Sequence, residues 1–257
     1  MDVVLSALEP LLPPEMSASV ALGLVGLSFL TATFTAAVGL GGGIVMIAVL
    51  ASIMPPAVAI PVHGAVQLGA NCGRVAIMRR NVDWGLVGLF TAGGLVGVTI
   101  AASLFVALSR STLQAVLGVF VLYSVWSPRL RPANVPRWSY PLVGAAASFV
   151  TMFVGGTGPF VAAFLSPERL GRHGLVATQA ACTALQHGLK VVAFGAIGFL
   201  YLPWFPLLAV MIAVGLVGTF VGRNLLNRLS DRVFLHVFRA VLTVLGLRLL
   251  WAAFLDG

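Results

Sequence analysis

With 257 residues, 60% of them hydrophobic and 9% charged, and a mean hydropathy of +1.06, the chain is not an ordinary soluble domain. Its formal charge of +8 comes mostly from arginines that fall in ones and twos near the ends of apolar runs. That pattern marks cytoplasmic loops rather than a nucleic-acid partner, so composition predicts an all-α polytopic membrane protein whose surroundings are the lipid bilayer.

The N-terminal tail, residues 1–16, carries Asp2, Glu9 and Glu15 and no Lys or Arg, which is not a signal-peptide arrangement. A first apolar element then runs over 17–53, interrupted by Gly39-Leu40-Gly41-Gly42-Gly43 and stopped at Met54-Pro55-Pro56. Glycines give up helix propensity and let other backbone come close. At membrane depth, exposed amides and carbonyls are tolerated only where protein or a water-filled cavity satisfies them. The cluster therefore reads either as a binding site or as a small-residue patch where helices pack tightly. Spans follow over 57–78, 84–108 and 113–126.

After a polar linker, 128–138, which contains Pro128-Arg129-Leu130-Arg131-Pro132, the order restarts. An element over 140–165 is broken at Gly155-Gly156-Thr157-Gly158-Pro159, and spans follow over 174–199, 204–226 and 233–254. Gly41-Gly42 answers to Gly155-Gly156, and Gly94-Leu95-Val96-Gly97 recurs as Gly215-Leu216-Val217-Gly218. A fixed offset sets Gln67 against Thr183, Asn71 against His187 and Arg74 against Lys190. The chain is thus predicted to hold two repeats, 17–127 and 139–257.

Loop charge sets their orientation. If both broken elements return to the side they entered from, as hairpins with buried glycine tips, nearly all loop arginines face the cytoplasm and the N-terminus lies outside. Each repeat is then a broken, hairpin-like helix plus three transmembrane helices. The two are inverted, as in many transporters.

The run Phe34-Thr35-Ala36-Ala37-Val38-Gly39-Leu40-Gly41-Gly42-Gly43, with Pro55-Pro56 after it and the altered copy Phe153-Val154-Gly155-Gly156-Thr157-Gly158-Pro159, resembles the TauE/SafE sulfite exporter family, also called the toluene-sulfonate uptake permeases. The resemblance covers nearly the whole chain. It implies a multi-pass protein of the bacterial inner membrane that moves sulfur-containing or organic anions such as sulfite, sulfoacetate and sulfonates. It leaves direction open. Thr157, which interrupts the second glycine cluster, departs from the pattern.

The seven carboxylates, Asp2, Glu9, Glu15, Asp83, Glu168, Asp231 and Asp256, all lie in tails or at span ends. A cation carrier built on a buried acid is not expected. Lys190 lies deep in its span with nothing acidic to pair with, and an anionic ligand is the missing partner. Helix starts at the two tips would add unsatisfied amides. The candidate substrate-binding set is Gly41, Gly42, Gly43, Ile44, Gln67, Asn71, Gly156, Thr157, Gly158, Thr183, His187 and Lys190, with Gln186 as a further donor. His63 and His187 are proton-relay candidates. Lys190 could instead be neutral or snorkel, and Arg74 could reach the cytoplasmic surface as readily as a site.

Cys72 and Cys182 read as packing residues, and neither a metal site nor a cofactor motif stands out. The residues an enzyme would need are not seen. The reading is a secondary transporter working by alternating access, with an anion channel of the same build as the alternative and the oligomeric state left open.

Overall fold

The computed structural model describes residues 12–13, 16–38, 41–127, 135–225 and 231–256. Gly39 and Leu40, the acids of the N-terminal tail, Arg129 and Arg131 of the linker, and Arg228 lie outside the described residues. Ten α-helices are described, in the order α1 (Ala18–Val38), α2 (Gly42–Ile53), α3 (Pro56–Met78), α4 (Trp84–Phe105), α5 (Arg110–Trp126), α6 (Tyr140–Val154), α7 (Gly158–Ala163), α8 (Pro167–Ala196), α9 (Phe205–Leu225) and α10 (Asp231–Leu255). Three described stretches are long and apolar enough to cross a membrane, Ala18–Ala36, Trp84–Phe105 and Leu202–Gly222.

Helix starts follow local chemistry. Asp83 Oδ1 accepts from the Leu86 amide at 2.9 Å to cap α4, and Ser109 Oγ accepts from Thr112 at 3.2 Å to cap α5. Proline opens α3, α6, α7 and α8 within the first two positions, where no intrahelical donor is lost. The last of these begins earlier than the apolar run suggested. Pro167 starts it in the polar stretch, and Gly171, at φ 65°, kinks it before the apolar part.

Each broken element doubles back. In the first, α2 returns along α1, and a Cβ at Gly42 would collide with the carbonyl of Thr31 and the hydroxyl of Thr35. In the second, Tyr140 at the start of α6 donates its hydroxyl to the Phe164 carbonyl, just past α7, at 2.9 Å. That bond closes the mouth of the hairpin, so Tyr140→Phe is expected to cost about 1 kcal/mol, measured as a shift in thermal unfolding in detergent.

Four helix pairs carry most of the packing, α1 with α9, α4 with α6, α3 with α8, and α5 with α10. Exchange of the two halves turns α1·α9 into α6·α4 and maps the other two pairs onto themselves. Backbone contact between α4 and α6 is direct. Any Cβ at Gly93, Gly97 or Gly144 would run into the carbonyls of Pro141, Ala145 and Phe90 respectively. Gly218 and Gly222 of α9 sit in the same way on the Phe29 and Thr33 carbonyls of α1. The repeated Gly-Leu-Val-Gly motif is thus a packing device, as small residues are in other membrane helices.

The ion pairs among the described residues lie at the ends of the bundle. Arg137 pairs with Asp83 at 2.7 Å, and Arg169 donates to the Val135 carbonyl at 3.3 Å, which gathers the α3–α4 turn, the approach to α6 and the start of α8 at one end. Arg110 meets Asp256 at 3.3 Å at the other end.

Candidate functional site

The two glycine breaks meet. Gly41 has φ 110° and Gly155 has φ 80°, left-handed backbone that L side chains rarely adopt, and these turns bring the chain back at each tip. A Cβ at Gly156 would lie 2.8 Å from Ile44 Cγ1 and 3.3 Å from Ile44 Cα, so the tips touch. Ile44 and Val45 donate their amides to Gly41 O at 2.9 and 3.2 Å. The amides of Gly42 and Gly43, as the first of α2, have no carbonyl within the helix to bond.

Beside the tips lies a cavity of about 70 Å³. One water needs about 10–15 Å³ by this kind of measure, so the space suits a small ion with few waters. Gly41, Gly42, Gly43, Ile44, Gly156 and Gly158 border it, as do Gln67, Asn71, Thr183 and His187. Four of the sequence candidates, His63, Thr157, Gln186 and Lys190, stand back from it. Thr157 is buried with its hydroxyl unpartnered, and Lys190 is fully buried with Nζ donating to the Thr151 carbonyl at 2.8 Å. The stem of Lys190 passes over Gly64, whose missing side chain leaves the slot; a Cβ there would be 3.3 Å from Lys190 Cδ and Cε. Gln186 is also buried, with both polar atoms of its side chain unpartnered.

Arg74 does border the cavity. Its Nη1 donates to Asn71 Oδ1 at 3.3 Å, and no carboxylate pairs with it among the described residues. Asn71 Oδ1 also accepts from Thr183 Oγ1 at 3.1 Å, which joins α3 to α8 across the floor of the site.

Two polar stripes build this floor. His63, Gln67, Asn71 and Arg74 on α3, and Gln179, Thr183, His187 and Lys190 on α8, share the spacing i, i+4, i+8, i+11, one face of a helix in each case. Each stripe ties itself to a tip. His63 Nε2 is 2.9 Å from Gly43 O, and Gln179 Nε2 donates to Gly158 O at 3.3 Å.

Other lining residues were not singled out in the sequence. Ser28, Thr31 and Thr35 of α1, Gln179 of α8 and Thr219 of α9 all face the cavity. A signal for the first three exists, since hydroxyls three and four residues apart form one stripe on a mostly apolar helix. No group of three His, Cys, Asp or Glu side chains fit to hold a metal ion occurs among the described residues.

An all-helical bundle with apolar spans and a polar, cation-bearing cavity between two broken helices belongs to the class of membrane transport proteins. A family model described as Sulfite exporter TauE/SafE matches residues 24–249, and the chain belongs to that family. The family is one of transporters, not enzymes. No curated protein and no solved structure matches the chain.

Proposed function

We propose that the protein is a secondary transporter of a small sulfur-containing anion of the sulfite, sulfoacetate or sulfonate type, in the bacterial inner membrane with its N-terminus outside. One observation carries this reading. The cavity beside the two tips is bordered by a guanidinium with no carboxylate partner among the described residues, next to the first amides of α2, which no carbonyl of that helix can satisfy. A planar, permanently charged fork and helix-start amides together suit a sulfur oxyanion. The cavity's volume favours small members of the class over aromatic sulfonates.

Alternating access between inverted halves fits the helix pairing, which is unchanged when the halves are exchanged. It also fits an asymmetry between the two matched cations, since Arg74 borders the cavity while Lys190 is sealed behind it. The opposite-facing state would exchange those roles. Ile47, Ile60, Met152 and Phe194, the last of them beside Lys190, are buried in one apolar cluster, which suits a carrier closed on one side.

The test is uptake of labelled sulfite and sulfoacetate into proteoliposomes. Saturable flux with counterflow is the expected result. Flux that does not saturate and follows voltage alone would make the protein a channel.

A further inference from the structure

Besides Arg74, three basic groups that can gain and lose a proton lie behind or beside the cavity, one on the α3 stripe and two on the α8 stripe. At matched positions His63 stands against Gln179, His187 against Asn71, and Lys190 against Arg74. An amide at Gln179 makes the same tie to its tip that the imidazole of His63 makes to Gly43. Hydrogen bonding by itself therefore does not call for a histidine at 63. The other two pairs differ in the same sense. Asn71 and Arg74 keep one charge state at any ordinary pH, whereas histidine and lysine can gain and lose a proton.

The three groups also sit together. The rings of His63 and His187 are 5.7 Å apart, and Lys190 lies one turn beyond His187 on the same face of α8. His63 Nε2 lies 2.9 Å from Gly43 O and 3.3 Å from Gln67 Nε2, and in the tautomer that donates to Gly43 its Nδ1 is a bare lone pair. That Nδ1 and the Nδ1 of His187 are both buried without a partner. Around them α1, α2, α4 and α7 contribute no ionisable side chain, and α6 only Tyr140 at its first residue. The remaining ionisable groups on α3 and α8 and on the other elements packed against them are Cys72 and Arg74 on α3, Arg79 and Arg80 on the turn after it, Arg110 and Tyr123 on α5, Cys182 and residues 168–173 on α8, and Arg223 on α9. None is an acid at this depth. An unpaired cation here is costly, so an added proton is held only while a negative charge occupies the cavity that His187 borders.

We propose that His63, His187 and Lys190 form a proton site that fills together with the anion, so that the protein moves a proton with its anion. The proposal rests on the transporter reading above. Water on the entry side supplies the proton to a ring nitrogen or to Nζ, and water on the exit side takes it back. By linkage, the factor by which the anion favours the proton is the factor by which the proton favours the anion. The occupied site also reaches both breaks. His63 holds the Gly43 carbonyl, and Lys190 holds the carbonyl of Thr151, whose hydroxyl donates to Gly155 O at 3.2 Å.

The experiment loads proteoliposomes with the full chain, clamps the membrane potential at zero with potassium and valinomycin, and imposes a pH gradient. Labelled sulfoacetate and methanesulfonate serve as probes, because neither changes charge between about pH 6 and 8, unlike sulfite. One proton per anion predicts accumulation of about tenfold per pH unit toward the alkaline side. His63→Gln, which keeps a donor for Gly43, is expected to bring that ratio to about one while counterflow of the probe persists.

Saturable uptake by the wild type that ignores the pH gradient would overturn the proton site and leave the transporter reading standing. So would a His63→Gln variant that still accumulates tenfold. No saturable uptake of either probe or of sulfite would remove both.

Discussion

Arg74→Gln is expected to weaken anion uptake about ten- to hundredfold, read as a rise in the half-saturating concentration for counterflow in proteoliposomes. A hydrogen bond to a charged group is worth about 1.5–3 kcal/mol, and glutamine removes the charge while keeping a donor that can still reach Asn71. Arg74→Lys should fall between the two, because an ammonium restores the charge but not the two parallel donors. A glutamine variant with wild-type half-saturation would place the anion elsewhere. The neighbouring Arg79 and Arg80 lie on the exposed turn after α3, so neutralising them should leave the constant within about twofold.

The largest expected loss of stability is at the α4–α6 contact. At Gly144 a side chain would enter the Phe90 carbonyl and its Cα, backbone atoms that move only if the two helices separate. Gly144→Val should destabilise by about 1–3 kcal/mol or more, as other overpacked sites do. For a chain of this size that corresponds to roughly 2–12 °C in the melting temperature of the detergent-solubilised protein. Gly88 of α4 faces open space, with nothing within 4 Å of its missing Cβ, and Gly88→Ala should melt at the wild-type temperature or slightly above. Equal melting of the two variants would mean that the helices do not touch through their backbones.

Much of this architecture was legible because membrane depth restricts the chain so severely. A run of apolar residues must be helical there, and a glycine cluster inside one must be covered by something. The two breaks, Gly39–Gly43 and Gly155–Gly158, could therefore be placed on the residues alone, and so could the polar positions shared by α3 and α8. Two readings of the first cluster were open, site or packing patch, and the fold gives it close packing and a place beside the cavity. Gly42 is pressed against α1, and Gly41 to Gly43 also border the cavity.

The long cations were harder, because a flexible stem can carry its charge several ångströms in any direction. Arg74 could equally have turned to the surface, whereas in the folded chain it borders the cavity, which is built partly by Thr31 and Thr35 some forty residues earlier. Lys190 looked like the natural ligand from its depth. The fold instead draws it through the slot at Gly64 to a carbonyl of α6, and leaves His187 to face the opening. The missed stripe of Ser28, Thr31 and Thr35 has the same origin. Hydroxyls on an apolar helix commonly bond their own backbone, as Thr31 does to Leu27 O at 2.8 Å, and only the neighbour decides whether they also line a site.

The residues by themselves determined that this chain lies in a membrane as helices, that two of those helices break, and that no acid sits at depth to attract a cation, since each of these follows from the cost of polar groups in lipid. Which cation meets the cavity, which is sealed behind it, and which bases come together as a cluster were decided only by the tertiary structure, because those outcomes depend on contacts between helices far apart in sequence, made where glycine allows backbones to touch.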